Sequence, residues 1–219
     1  MRGTIETERN KASILTKCSV CSKLPWSEDA LQRCLCDGFN LDLGCGPSKQ
    51  PGFVGLDKRP VAGVDIVWDI ESVVEGCKCT PSLHWPFLDN SVDNLLCSHV
   101  LEHMKPWGFV DIMNEMHRVV KSSGQVQIAV PYAGSYGFWQ DPTHTKGINE
   151  ATFEYFDPTK ELYRVYRPSP WSIVRLNYHP LYNLEIVLRP IKNQPIPKVN
   201  YSYVTRTPKG NVNGSRKKG

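Results

Sequence analysis

One nine-residue stretch constrains this chain more than any other: Phe39-Asn40-Leu41-Asp42-Leu43-Gly44-Cys45-Gly46-Pro47. An apolar run opens a strand, and two glycines one residue apart then let the backbone turn sharply. Glycine tolerates φ > 0 and presents no Cβ, so a ligand can lie directly on the main chain. Asp42 stands inside the apolar run, where a carboxylate is costly unless hydrogen bonds offset its burial. Strand, carboxylate and glycine turn together point to a cofactor that carries a nucleoside.

The residues after the turn narrow that cofactor. A dinucleotide-binding fingerprint wants a third glycine and a helix opening at the loop, whose N-terminus holds a pyrophosphate. Here Lys49 stands where the third glycine belongs, and Pro51-Gly52 arrives almost at once. The next predicted strand, Phe53 to Asp57, ends in an acid 13 residues after Gly44, not roughly 20 beyond the fingerprint. A phosphate-bearing ligand would lose its main anchor here, whereas a nucleoside without phosphates would lose little. Asp57 can accept from both ribose hydroxyls; equally, it can cap the turn into Lys58-Arg59-Pro60. A short strand from Val64 to Trp68 ends in Asp69-Ile70, an acid for the adenine amino group and an apolar face for the ring.

Further along, Val92 to Cys97 reads as a buried strand, followed by Ser98-His99-Val100-Leu101-Glu102-His103. Phe109, Ile112, Met113, Met116, Val119 and Val120 fall on one helical stripe, which Gly124 is expected to stop. Gln125 to Val130 alternates as a strand ended by Pro131. Strand, helix and strand at this spacing predict a parallel α/β sheet. Ile173 to Asn177 and Tyr182 to Leu188 read as a last, antiparallel pair.

By these residues the chain resembles a class I S-adenosylmethionine-dependent methyltransferase of the small methyltransferase domain 11 type. The matching stretches are L-D-L-G-C-G at 41–46, G-L-D at 55–57, W-P-F-L-D-N-S-V-D at 85–93, S-H-V-L-E-H at 98–103 and E-M-H-R-V-V-K-S-S-G at 115–124. The resemblance implies a Rossmann-like, mostly parallel, seven-stranded α/β sheet with helices on both faces and its last strand pair antiparallel. It implies that Asp42, Gly44 and Gly46 line the methionine end, with Asp42 reaching the amino group. Asp57 would bind the ribose, Asp69 with Ile70 the adenine, and Ser98 with His99 would lie near the sulfonium. The near-absent helix between the first two strands departs from the usual pattern.

Methyl transfer from a sulfonium is an in-line displacement, so the protein mainly aligns nucleophile and methyl carbon. A hydroxyl or ammonium nucleophile also needs its proton removed. Asp141 and His144 bracket a proline just past the fifth strand, where α/β sheets place ligands. His144 is the expected base or substrate contact, with Asp141 beside it and His99 as a further candidate. The competing reading is that Asp141 caps the turn and His144 donates to the backbone. Tyr132, Tyr136, Phe138 and Trp139 would wall the site or favour a cationic sulfonium.

The strand-end residues Cys97-Ser98-His99-Val100 match neither the N/D-P-P-Y/F of amino-methylating nucleic-acid enzymes nor a Pro-Cys nucleophile. The expected acceptor is therefore a small molecule, sugar or lipid rather than nucleic acid. An alternative is a non-catalytic cofactor-binding protein that contacts RNA through a Cys-rich head and a basic tail.

Composition bears on that alternative. Net charge is +4, yet Pro190 to Gly219 holds seven basic residues and no acid, leaving about −3 on the rest. The division expected is an extension over 1–37, a methyltransferase domain over 38–206 and a flexible basic tail over 207–219. Cys18, Cys21, Cys34 and Cys36 supply the four thiols a tetrahedral zinc needs, with Cys77 and Cys79 as rivals; reduced thiols are the default. Met1 to Lys11 is charged and lacks the apolar segment of a signal peptide, which predicts a cytoplasmic protein without a membrane span.

Overall fold

The computed structural model describes residues 38–72 and 85–192. The extension over 1–37, the six cysteines named as metal candidates and the tail over 207–219 lie outside the described residues.

Seven strands form one sheet: β1 (Phe39–Leu43), β2 (Val54–Asp57), β3 (Ile66–Val67), β4 (Val92–Ser98), β5 (Val120–Pro131), β6 (Trp171–Tyr178) and β7 (Asn183–Pro190). Their order is β3-β2-β1-β4-β5-β7-β6. The pairings from β3 across to β5 are parallel, and β7 runs antiparallel to both β5 and β6. The expected Rossmann-like sheet with an antiparallel last pair is present. The chain winds outward from β1 to β3 and then returns to place β4 on β1's other side. Loops leaving β1 and β4 therefore diverge, and a crevice opens at their carboxyl ends.

The crossover from β1 to β2 uses residues 44–53, which contain turns and no helix. Parallel neighbours usually need a dozen or more residues between them. This short path closes because Gly44 (φ 70°), Gly46 (φ 52°) and Gly52 (φ 81°) adopt left-handed conformations. Asp42, at 5% exposure, accepts from the Gln50 amide at 2.7 Å and ties the loop back beneath the strand.

The predicted helical stripe is α1 (Phe109–Val119), with Phe109, Ile112, Met113, Met116 and Val119 buried. They join Leu41, Leu95, Val126 and Ile128 of the sheet in one core. Gly124 does not stop the helix. The chain turns extended at Val120 (φ −76°, ψ 136°), and β5 begins there. Gly124 lies within β5, where a Cβ would meet the Asp93 carbonyl oxygen at 2.3 Å. Its role is to let β5 approach β4 across a register shift between Val92 and Asn94. Shorter helices, α2 (Tyr136–Trp139), α3 (Glu150–Glu154) and α4 (Tyr163–Tyr166), follow β5. Among the described residues, no helix is long and apolar enough to cross a membrane.

Candidate functional site

The glycine turn after β1 is closed on itself. The amides of Gly44 and Cys45 both donate to the Leu56 carbonyl, at 2.7 and 3.1 Å. The Gly46 amide donates to Asp57 Oδ2 at 2.9 Å. Three successive N–H groups that would otherwise form an anion nest are satisfied within the protein. This gives a physical basis for the phosphate-free reading. Gly44 is also required by packing, since a Cβ there would meet Val100 Cγ2 at 2.3 Å.

Asp57 closes β2 at 4% exposure. Its Oδ1 accepts from the Arg59 amide at 2.8 Å and from Arg59 Nε at 3.2 Å. Burial opposes the charged form, but these bonds and the Gly46 amide outweigh it and hold the carboxyl below its ordinary range. The turn-capping and ligand-facing readings of Asp57 are thus compatible: it fixes the turn and still lines the adjoining cleft. That cleft, about 390 Å³, is lined by Gly44, Asp57, Trp68, Asp69, Ile70 and His99, among others.

Asp42, Gly46 and Ser98 do not line it. Asp42 lies beneath the turn, where burial raises its carboxyl pKa against the opposing Gln50 amide and Lys49. Gly46 shapes the turn, and Ser98 is exposed at the end of β4. Trp68, Arg59 and Met104 line the cleft without having been singled out in the sequence. Trp68 had a usable signal, as the aromatic residue beside Asp69-Ile70.

A second cleft, about 520 Å³, is lined by His99, Glu102, His103, Tyr136, Asp141 and His144, with Gln140, Leu181 and Tyr182. His99 and His103 face both clefts. The three expected catalytic residues are therefore together, in different settings. His99 is half-exposed, with Nδ1 3.3 Å from Glu102 Oε1, and that carboxylate makes its imidazole more basic than usual. The His144 side chain is 8% exposed, and Nδ1 donates to the Phe138 carbonyl at 2.7 Å. Asp141 accepts from the Thr143 amide at 2.8 Å and from Thr143 Oγ1 at 2.7 Å, and its Oδ2 lies 3.8 Å from His144 Nε2. Both competing structural roles, turn cap and backbone donor, are thus occupied.

Phe138 stacks on His144 with ring centroids 5.4 Å apart, while Tyr136 and Tyr182 are 78% and 67% exposed at the cleft rim. Glu102 is the site residue that sequence reasoning valued least. Its signal was a carboxylate between two apolar residues and a histidine.

The strand order and the antiparallel last pair give this chain a Rossmann-like fold similar to that of class I S-adenosylmethionine-dependent methyltransferases. Within the chain, residues 41–128 match the family described as Methyltransferase domain. The fold is similar to that of the methyltransferase solved in complex with the Trm112 methyltransferase activator of Haloferax volcanii. That likeness has 16% identity over 80% of this chain and 88% of that chain, with a TM-score of 0.51. The 1,6-didemethyltoxoflavin-N1-methyltransferase of Burkholderia thailandensis, solved with S-adenosylhomocysteine, is 14% identical over 70% of this chain and 71% of its own, with a TM-score of 0.47. An uncharacterized protein of Methanocaldococcus jannaschii is 38% identical over 52 residues, 24% of this chain. The match spans 22% of that relative's length.

Proposed function

We propose that the protein transfers the methyl group of S-adenosylmethionine to an oxygen or nitrogen of a small-molecule, sugar or lipid acceptor. The observation that carries this reading is the pair of adjoining clefts that share His99 and His103. One suits a nucleoside, with carboxylates at the ends of β2 and β3. The other brings titratable groups to its boundary and exposes Tyr136, Leu181 and Tyr182 on its walls.

In this reading Asp57 accepts from the ribose hydroxyls, Asp69 from the adenine amino group, and Ile70 packs on the ring. Gly44 lets the cofactor approach the main chain, Gly46 holds the turn, and Asp42 adds negative charge beneath the methionine ammonium. Ser98 and His99 stand near the sulfonium at the end of β4. The acceptor's lone pair forms the new bond to the methyl carbon as the carbon–sulfur bond breaks. The electron pair stays on sulfur, giving neutral S-adenosylhomocysteine. The acceptor's proton passes to His99, with Asp141 and His144 completing the polar wall.

Calorimetry with S-adenosylmethionine and S-adenosylhomocysteine tests the cofactor half. Wild type is expected to bind both, and Asp57→Ala to bind at least 10-fold more weakly, because charge-assisted bonds are worth about 1.5–3 kcal/mol each. Absence of binding to wild type would overturn the reading. Tight binding without turnover on a panel of hydroxyl and amine acceptors would favour a cofactor sensor instead.

A further inference from the structure

Beneath the second cleft lies a group that methyl transfer alone does not require. Glu102 sits in the single turn Leu101–His103 after β4 and is completely buried. Among the described residues, neither of its carboxylate oxygens accepts a hydrogen bond of good geometry, although the half-exposed His99 Nδ1 lies 3.3 Å from Oε1. A buried carboxylate is costly unless positive charge and ligand bonds meet it, and His99 approaches it from the Oε1 side.

What surrounds it is a donor set. One ligand atom each from Glu102, His103 and His144 lies within 4.8 Å of the others. His144 Nε2 is 4.0 Å from Glu102 Oε1. Ligands on a common ion at about 2.0–2.2 Å sit roughly 3–4 Å apart, so the group needs only a slight contraction.

Both histidines are prepared as ligands. His144 Nδ1 faces the Phe138 carbonyl at 2.7 Å and must carry a proton, which leaves a lone pair on Nε2. Thr143 Oγ1 donates to Asp141 Oδ1 at 2.7 Å, so it accepts from His103 Nδ1 at 3.0 Å. That leaves a lone pair on His103 Nε2 as well. A carbonyl or a carboxylate-backed hydroxyl on the second nitrogen is the usual support for a metal-bound histidine. The two ligand segments are also tied together. The amides of Thr145 and Lys146 both donate to the Glu102 carbonyl, at 2.8 and 3.1 Å.

We propose that Glu102, His103 and His144 bind a divalent first-row transition-metal ion whose open positions face the acceptor cleft. Two imidazoles and one carboxylate leave room for exogenous oxygen ligands. The ion would take the acceptor's oxygen and lower its pKa; this role rests on the methyl-transfer reading, whereas the binding site does not. The acceptor hydroxyl gives its proton to His99, the metal-bound oxygen forms its bond to the methyl carbon, and the carbon–sulfur bond breaks toward sulfur. His144 then serves as a ligand and not as the base.

The test uses the full chain after chelator treatment, titrated with Mn2+ and followed by electron paramagnetic resonance. Mn2+ suits carboxylate ligands and is not selected by thiolates, which keeps the eight cysteines out of the reading. Wild type is expected to bind one Mn2+ per chain. Glu102→Gln and His144→Ala should each weaken binding at least 100-fold, beyond the roughly 10–100-fold cost of losing a ligand's support. S-adenosylhomocysteine binding by His144→Ala, which alters no residue lining the cofactor cleft, reports that this variant is folded.

No saturable Mn2+ binding by wild type, or undiminished binding in both variants, overturns the proposal. Should the variants not fold, imidazole nitrogen coupling in the pulsed spectrum of wild type supports it, and the lack of such coupling overturns it. Mn2+ binding without S-adenosylhomocysteine binding would leave the metal site standing and remove the transfer reading. Cofactor binding without Mn2+ binding would do the reverse.

Discussion

His99 has a φ of 54°, a left-handed backbone conformation in a residue that is not glycine. Its amide donates to the Ala129 carbonyl at 2.8 Å, which holds the turn that ends β4. The conformation costs about 1–2 kcal/mol for a residue with a Cβ, and strain of this kind gathers at functional sites. Backbone and side-chain roles therefore separate. His99→Gly is expected to be about 1 kcal/mol more stable than His99→Ala, while both lose turnover to a similar extent. Thermal melts paired with a methyl-transfer assay check this; equal stability of the two variants would show that the turn is not strained. None of this was visible in Ser98-His99-Val100, because no local residue announces a positive φ. The glycine turn, by contrast, was legible: Gly44 and Gly46 declare their conformations by having no Cβ. Asp57 was half legible, since its position at a strand end was plain but its bond to the Gly46 amide depends on folding.

Among the elements, α1 shows how a motif can be structural. Arg118 donates from Nε to Glu115 Oε2 at 2.8 Å and from Nη2 to Oε1 at 2.6 Å. Its Nη1 reaches the Phe87 carbonyl at 2.8 Å and Asp89 Oδ1 at 2.7 Å. Glu115 in turn accepts from the Trp85 amide at 2.5 Å. One guanidinium thus holds the segment Trp85 to Asp89 against the helix, and it brings Trp85 and Phe87 into the core. Arg118→Met leaves Glu115 buried without its cation, and removing one partner of such a pair costs about 3–5 kcal/mol. A denaturant midpoint shift equivalent to less than about 1 kcal/mol would refute this account. The stripe of α1 was readable from its period, but its end was not. Gly124 offered the stop signal, but Val120, which carries none, already pairs with Val92 and was taken for the sheet four residues earlier. Tertiary pairing overrides local preference at such a boundary.

At the scale of the whole molecule, the far end of α1 ties the helix to the chain leaving β7. His117 Nε2 lies 3.3 Å from the Ile191 carbonyl, and its ring meets Trp171 edge-on at 5.2 Å. Burial, reinforced by the nearby Lys192 charge, lowers its pKa from 6.5 to about 4. Between those two values the unfolded chain binds a proton that the folded chain does not, so stability falls as pH drops through this window. The loss amounts to up to about 3 kcal/mol by pH 4, and His117→Gln should flatten the pH profile of the melting temperature over that range. A wild-type profile already flat from pH 6.5 to 4 would contradict it. The closed turn after β1 has a consequence of another kind. With the amides of Gly44, Cys45 and Gly46 already engaged, the turn has no free N–H for a phosphate, and Lys58 and Arg59 are the cations on the adjoining cleft wall. In the methyl-transfer reading a pyrophosphate thus finds no main-chain anchor at the turn, and ATP and NAD are expected to displace S-adenosylmethionine only weakly, which a competition titration checks.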